Sequence, residues 1–230
     1  MTTFPWQVAR TWALTLALAV ALGACSRTSS SGSAATGGDE QAIRGVFLHY
    51  QEAIGKRQGE TAANLVSEKT LAYYERMRVA ALSMPAAEVK SSPLMDRMMT
   101  LLLRARVAKE DLKAWHGREL FVQAVAQGWV GEGAQRLVPD EVSIDGSTAS
   151  LGMRSGTSIM PPAQGYRLYQ EAGGWKLDIM SIAPPDGPGM KAMEKKLAQI
   201  DPNPERALEK LTEKTSGKPV SAAIWEPLDR

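Results

Sequence analysis

Apolar positions recur at helical spacing through the first half of the chain and at alternating spacing after it. In DEQAIRGVFLHYQEAIGKRQG, residues 39–59, Ile43, Val46, Phe47, Tyr50 and Ile54 fall on one face, the stripe of an amphipathic helix. Asp39 and Glu40 open it, where acidic groups suit the helix dipole, and Gly59 breaks it. A second helical stretch, TAANLVSEKTLAYYERMRVAALS, places Leu71, Tyr74, Arg78 and Leu82 along one stripe, with Ser67 as a cap, and closes before Pro85. A third, SPLMDRMMTLLLRARVAKED, has Pro93 in its first turn, where a missing N–H costs least. Its expected buried face is Leu94, Met98, Leu101, Leu102 and Ala105, with Arg97, Arg104, Arg106 and Lys109 in solvent. A shorter helix is expected over 115–127, stopped by Gly128.

From Arg136 the period changes to two. LVPDEVSID and STASLGMRS read as strands around Asp145-Gly146, a hairpin dipeptide. GYRLYQEA and GWKLDIMSI read as two more around Gly173-Gly174, with Trp175, Leu177 and Ile179 facing one way and Lys176 and Asp178 the other. That alternation predicts a half-buried antiparallel sheet. SGTSIMPPAQG, between the hairpins, reads as a loop or as an edge strand stopped by Pro161-Pro162. Beyond APPDGPG two short helices are expected, over 190–200 and 204–214, with Asn203 as cap and Pro204 in the first turn. The tail GKPVSAAIWEPLDR is either docked through Trp225 or free for a partner.

Helices first and a meander afterwards predict an α+β fold. The expected form is N-terminal helices packed on a curved, cone-like antiparallel sheet of about four strands, with short C-terminal helices. The opening "FLHYQEAIGKRQGETAANLVSEKT" and closing "YRLYQEAGGWKLDI" resemble the nuclear transport factor 2-like superfamily over most of residues 40–182. The resemblance implies a cystatin-like cone of sheet wrapped on a helix. It implies no particular activity, because that superfamily mixes enzymes with binding and structural domains, and no functional residue is carried over from it.

The beginning of the chain has a different pattern. Residues 11–24, TWALTLALAVALGA, carry no charge, and that run of 14 is short of the roughly 20 residues a membrane-crossing helix needs. It fits the apolar middle of an export signal. It ends in Leu22-Gly23-Ala24-Cys25, with the chain's single cysteine, and this resembles the bacterial lipoprotein box. The resemblance implies that Cys25 is the lipid-attachment site, bearing diacylglyceryl and N-acyl chains that together exceed the marginal anchoring of one chain. Ser26 after it implies outer-membrane sorting, on the periplasmic face. No disulfide can form within a chain that holds one cysteine.

SRTSSSGSAATGG, residues 26–38, has too little apolar surface to order itself, and as a flexible tether it spans about 20 Å. The expected organisation is a signal peptide over 1–24, lipidated Cys25 and a linker over 25–38, an α+β domain over 39–183, and a C-terminal helical extension and tail over 184–230.

Composition narrows the chemistry. Removing residues 1–24 takes away one arginine, which leaves 26 basic against 25 acidic residues and a net charge near +1. Such a balance gives no general pull toward nucleic acid, so the expected partners are a membrane, through the lipid on Cys25, and an envelope protein. No phosphate-binding loop, dinucleotide fingerprint, nucleophile elbow or zinc spacing is present, so neither a cofactor nor a metal is expected.

The catalytic candidates are His116 and Glu119, three apart in WHGRE, a spacing that on a helix would let a base meet its orienting carboxylate. His49 reads as a partly buried, satisfied side chain. Met84, Met95, Met98 and Met99 read as core filler or, in an oxidising envelope, as thioether copper ligands. Tyr73, Tyr74, Tyr166 and Tyr169 either line a cone pocket or fill it. The functional expectation is an envelope lipoprotein that binds a protein or an apolar ligand. The alternatives are a small-molecule isomerase, dehydratase or hydrolase, or a periplasmic inhibitor or immunity protein.

Overall fold

The computed structural model describes residues 37–185 and 187–229. The apolar run, Cys25 and nearly all of the expected linker lie outside the described residues. Helix α1, Gly37–Gly55, opens the body and buries Ile43, Phe47, Tyr50, Ala53 and Ile54. Helices α2, Gly59–Ala63, and α3, Glu68–Ser83, follow. They are separated because residues 65–67 run beside the last strand: the Ser67 N–H donates to Leu177 O and the Leu177 N–H to Leu65 O, both at 2.9 Å. Ser67 then caps α3, its hydroxyl accepting from the Thr70 N–H.

Five strands form one antiparallel sheet among the described residues: β1, Val138–Asp145; β2, Thr148–Ser155; β3, Ser158–Met160; β4, Tyr166–Glu171; and β5, Gly174–Asp178. The order is β1-β2-β4-β5, with β3 beside the far end of β2, so Ser158–Met160 is the edge strand of the segment between the hairpins. The register lines Ala149 up with Leu168 and Leu168 with Leu177, while Leu151 faces Tyr166. These residues make one buried row against α1, where the Phe47 and Tyr166 rings meet at 5.4 Å. A register irregularity between Pro139 and Val142 bends β1. The architecture is α+β, as the change of period predicts.

A second apolar cluster lies apart from the sheet. Helices α4, Ala86–Ser91, and α5, Leu94–Arg106, meet α8, Pro188–Ile200, and α9, Pro204–Ser216. Val89, Leu94, Leu101, Leu197, Ala207, Leu208 and Trp225 are buried together there. Asn203 caps α9 by accepting from the Arg206 N–H at 3.0 Å, and Pro204 occupies its first turn. The tail is docked: Trp225, in a 3-10 turn at Ala222–Trp225, is 3 % exposed and its indole N–H donates to Glu209 Oε1 at 2.7 Å. The described residues form one compact unit.

Two expectations are corrected here. Arg104, read as solvated, is 6 % exposed. Its guanidinium donates to the carbonyls of Ala80, Ala81 and Met84 at the end of α3, and to those of Ile224 and Trp225. Burial lowers its pKa to about 10, which Glu226 opposes, so it stays charged at neutral pH. The end of a helix leaves carbonyls unpaired and carries partial negative charge, which is what makes this burial tolerable. His49, read as partly buried, is exposed, because the turn of α1 that carries it and Leu48 faces away from the sheet.

Candidate functional site

After the short helix α6, Lys109–Ala114, His116 precedes α7, Gly117–Ala126, as its N-cap. Glu119 Oε2 accepts from the backbone N–H of His116 at 3.0 Å. That carboxylate is held below the usual range by backbone N–H groups, its own first and then that of His116. The helix begins at Gly117 rather than Trp115, so the two residues meet as a helix cap and not along a helix face. Gly117 fixes this geometry: a Cβ there would lie 2.5 Å from Leu71 O and 2.6 Å from Glu75 N on α3. The surface beside His116 is a shallow hollow that includes Glu68, Glu75 and Arg118. No group of three His, Cys, Asp or Glu residues comes together to hold a metal ion among the described residues.

The tyrosines divide. Tyr74 is buried, its ring edge-on to Phe121 at 5.0 Å. Tyr166 packs on Phe47, and burial pushes its pKa up to about 12. The Tyr73 hydroxyl donates to Asp96 Oδ1 at 3.0 Å. Tyr169 lies under the Lys69 ammonium, 3.9 Å from the ring centre. Lys69 and Tyr169 line a cleft of about 490 Å³ with Arg167 and Asp178. Asp178, expected on the strand face opposite Trp175 and Leu177, is 9 % exposed, since the chain turns back over it and the Met180 N–H donates to its carboxylate.

A second cleft has a different character. It measures about 330 Å³ and lies between α5, the segment Trp129–Val130–Gly131 after α7, and residues 179–183 after β5. Met95, Met98, Met99 and Leu102 form one wall, with Met180, Ile179 and Ile182 opposite. These four α5 residues stand at i, i+3, i+4 and i+7, the spacing that normally marks a buried face. Here all four are only half-buried. The fully buried positions of α5 are Leu94, Thr100, Leu101, Leu103 and Arg104, which flank the stripe on both sides. Helix α5 packs on α3 along one flank and on α9 along the other, with Met95 and Met99 set against the first core, Met98 against the second and Leu102 against neither, and each of the four keeps part of its surface exposed.

Arg106 stands at the end of that stripe. Its guanidinium lies 5.3 Å from the centre of the Trp129 ring, and it donates to Thr215 O at the end of α9. Burial lowers its pKa. Arg106 is the one ionisable cation among the residues lining the cleft. Gly131 closes the far side at φ +87°, and a Cβ there would come 2.4 Å from Ile54 Cγ2. Core filling, the reading the sequence favours for these methionines, holds in part: Met95, Met98 and Met99 pack against the cores and also line the cleft. The signal that could have found the cleft was α5 itself, whose apolar residues cover more of its circumference than a single stripe needs.

No helix among the described residues is long and apolar enough to cross a membrane. A scan of protein-family models finds no match to this chain, and neither the curated proteins nor the solved structures contain one.

Proposed function

We propose that this protein is an envelope lipoprotein, held at the membrane through lipid on Cys25, whose α+β body is a binding module working through the methionine-lined cleft. The observation that supports the reading most strongly is the partly exposed stripe of Met95, Met98, Met99 and Leu102 that lines the cleft. Open apolar concavities with few polar groups are the usual form of ligand sites, and methionine adapts its shape to varied apolar partners. The lipoprotein-box resemblance at Leu22-Gly23-Ala24-Cys25 supports the anchoring. The capping role of Glu119 at His116 gives this pair a structural duty and weakens the enzyme alternative built on it.

Two measurements test the reading. Cys25→Ala should release the protein from the membrane pellet, and unchanged pelleting would refute the anchor. A photo-crosslinking residue at Leu102 of the full lipoprotein should capture an adduct in intact cells that the same residue at His116 does not. Equal labelling at both sites would remove the cleft as the binding surface.

A further inference from the structure

From the arrangement of the cleft we infer that its occupant is a single-chain anionic amphiphile: an unbranched aliphatic chain lying along Met95, Met98, Met99 and Leu102, with an acidic head group at Arg106. This rests on the reading of the cleft as a ligand site and adds the chemical class of the ligand. Three features of the cleft carry it.

The first is shape. From Met95 to Leu102 the stripe rises about 10 Å, and reaching Arg106 adds about 6 Å more, at 1.5 Å per helical residue. A stripe of that length suits an extended chain lying along the helix. The volume of about 330 Å³ stands at the small end for ligand sites and leaves no room for two long chains side by side.

The second is polarity. Methionine, leucine and isoleucine walls offer a polar ligand almost no hydrogen-bonding partner, so the body of the occupant must be apolar.

The third is charge. Among the described residues no carboxylate is bonded to the Arg106 guanidinium; its contacts are the Thr215 carbonyl and the Trp129 ring. Further N–H donors of the guanidinium fork therefore remain for an incoming acid, and a carboxylate or phosphate can accept from them in the charge-assisted manner that neutral head groups cannot. Stacking on Trp129 holds the fork in place, which reduces the ordering that binding would otherwise require.

The experiment measures binding of decanoate, decanol and decyltrimethylammonium, each below its aggregation concentration, by calorimetry. The protein is the full-length chain refolded free of detergent. Decanoate should bind at least about tenfold more tightly than decanol, the scale of one charge-assisted contact, and the cationic chain should bind most weakly. Arg106→Gln should remove the preference for decanoate, weakening decanoate far more than decanol. Arg106→Lys should restore part of the preference. Leu102→Gln should weaken decanoate and decanol alike, and since Leu102 packs in neither apolar core, thermal unfolding should be little altered.

Equal binding of decanoate and decanol to the unmodified chain would overturn the acidic-head assignment while leaving the cleft as a ligand site. Tighter binding of a short two-chain phosphatidylglycerol than of decanoate would overturn the single-chain assignment. Binding of none of them would overturn the cleft reading itself.

Discussion

The guanidinium of Arg104 donates to the carbonyl of Trp225, 121 residues away in sequence, and this contact joins the two apolar cores. On its other side the same side chain meets Ala80, Ala81 and Met84 at the end of α3. The tail adds two backbone donors there, from Leu228 to Ala81 O and from Asp229 to Leu82 O. The end of α3 is thus capped by a buried cation and by the last residues of the chain.

Arg104→Met should therefore destabilise the protein by about 3–5 kcal/mol, because five carbonyls lose a charged donor in a dry site. Arg104→Lys keeps the charge but loses the fork, and should recover only part of that. Equilibrium unfolding in urea measures both. A loss below about 1 kcal/mol for the methionine variant would mean that water replaces the guanidinium.

Trp225→Ala should cost about 3–5 kcal/mol, as for other large aromatics removed from a core. Its effect should be local. Amide exchange should quicken in α4, α9 and the 3-10 turn that carries Trp225, while the buried row of Ala149, Leu168 and Leu177 should keep its protection. Uniform loss of protection would show that the two cores open together.

Two glycines should respond in opposite directions. Gly117→Ala forces a Cβ to within 2.5 Å of Leu71 O, and should cost about 1–3 kcal/mol through displacement of α7 from α3. Gly45→Ala, within α1 and with nothing within 4 Å of the added Cβ, should stabilise by about 0.5–1 kcal/mol. Thermal unfolding of the two variants decides the matter.

Acid should destabilise the fold through carboxylates that the native state holds low. Asp201 is lowered by Lys210 and the Asn203 N–H, Asp229 by Lys113 and Lys109, and Glu119 by backbone donors at the start of α7. A carboxyl with a lowered native pKa contributes stability above its unfolded value of about 4, and that contribution disappears as pH falls through the native value. Stability should be flat near neutrality and decline once pH falls below about 4. Glu119→Gln retains an acceptor for the His116 N–H, so it should cost less than Glu119→Ala and should flatten its share of the acid decline. Urea midpoints at neutral and acid pH measure this. The Asp201 and Asp229 contributions should shrink in high salt, since both pairs reach solvent.

The amphipathic face of α1, the Ser67 and Asn203 caps and the two hairpins were legible in the residues, because each depends on neighbours close in the chain: a stripe, a hydroxyl near an N–H, a glycine between alternating runs. Helix α5 was not. Its sequence offers more apolar positions than one face can use, and nothing local says which flank meets α3, which meets α9, and which stays open. Arg104 and Arg106 look alike in sequence, two residues apart near the same helix end. One points to where α3 and the tail leave carbonyls unpaired, and the other lies over Trp129 at the mouth of the cleft.

Taken alone, the sequence determined the α+β order, the turn positions and the signals at helix ends, and it supplied the resemblance that marks Cys25. Only the tertiary structure decided that Arg104 is buried, that Glu119 serves a helix end, that the tail is docked, and that the methionine stripe lines a cleft. Backbone caps and hairpins act over a few residues, so local sequence specifies them. Burial of a given side chain depends on which distant segments arrive beside it, and that is settled only when the helices and sheet pack.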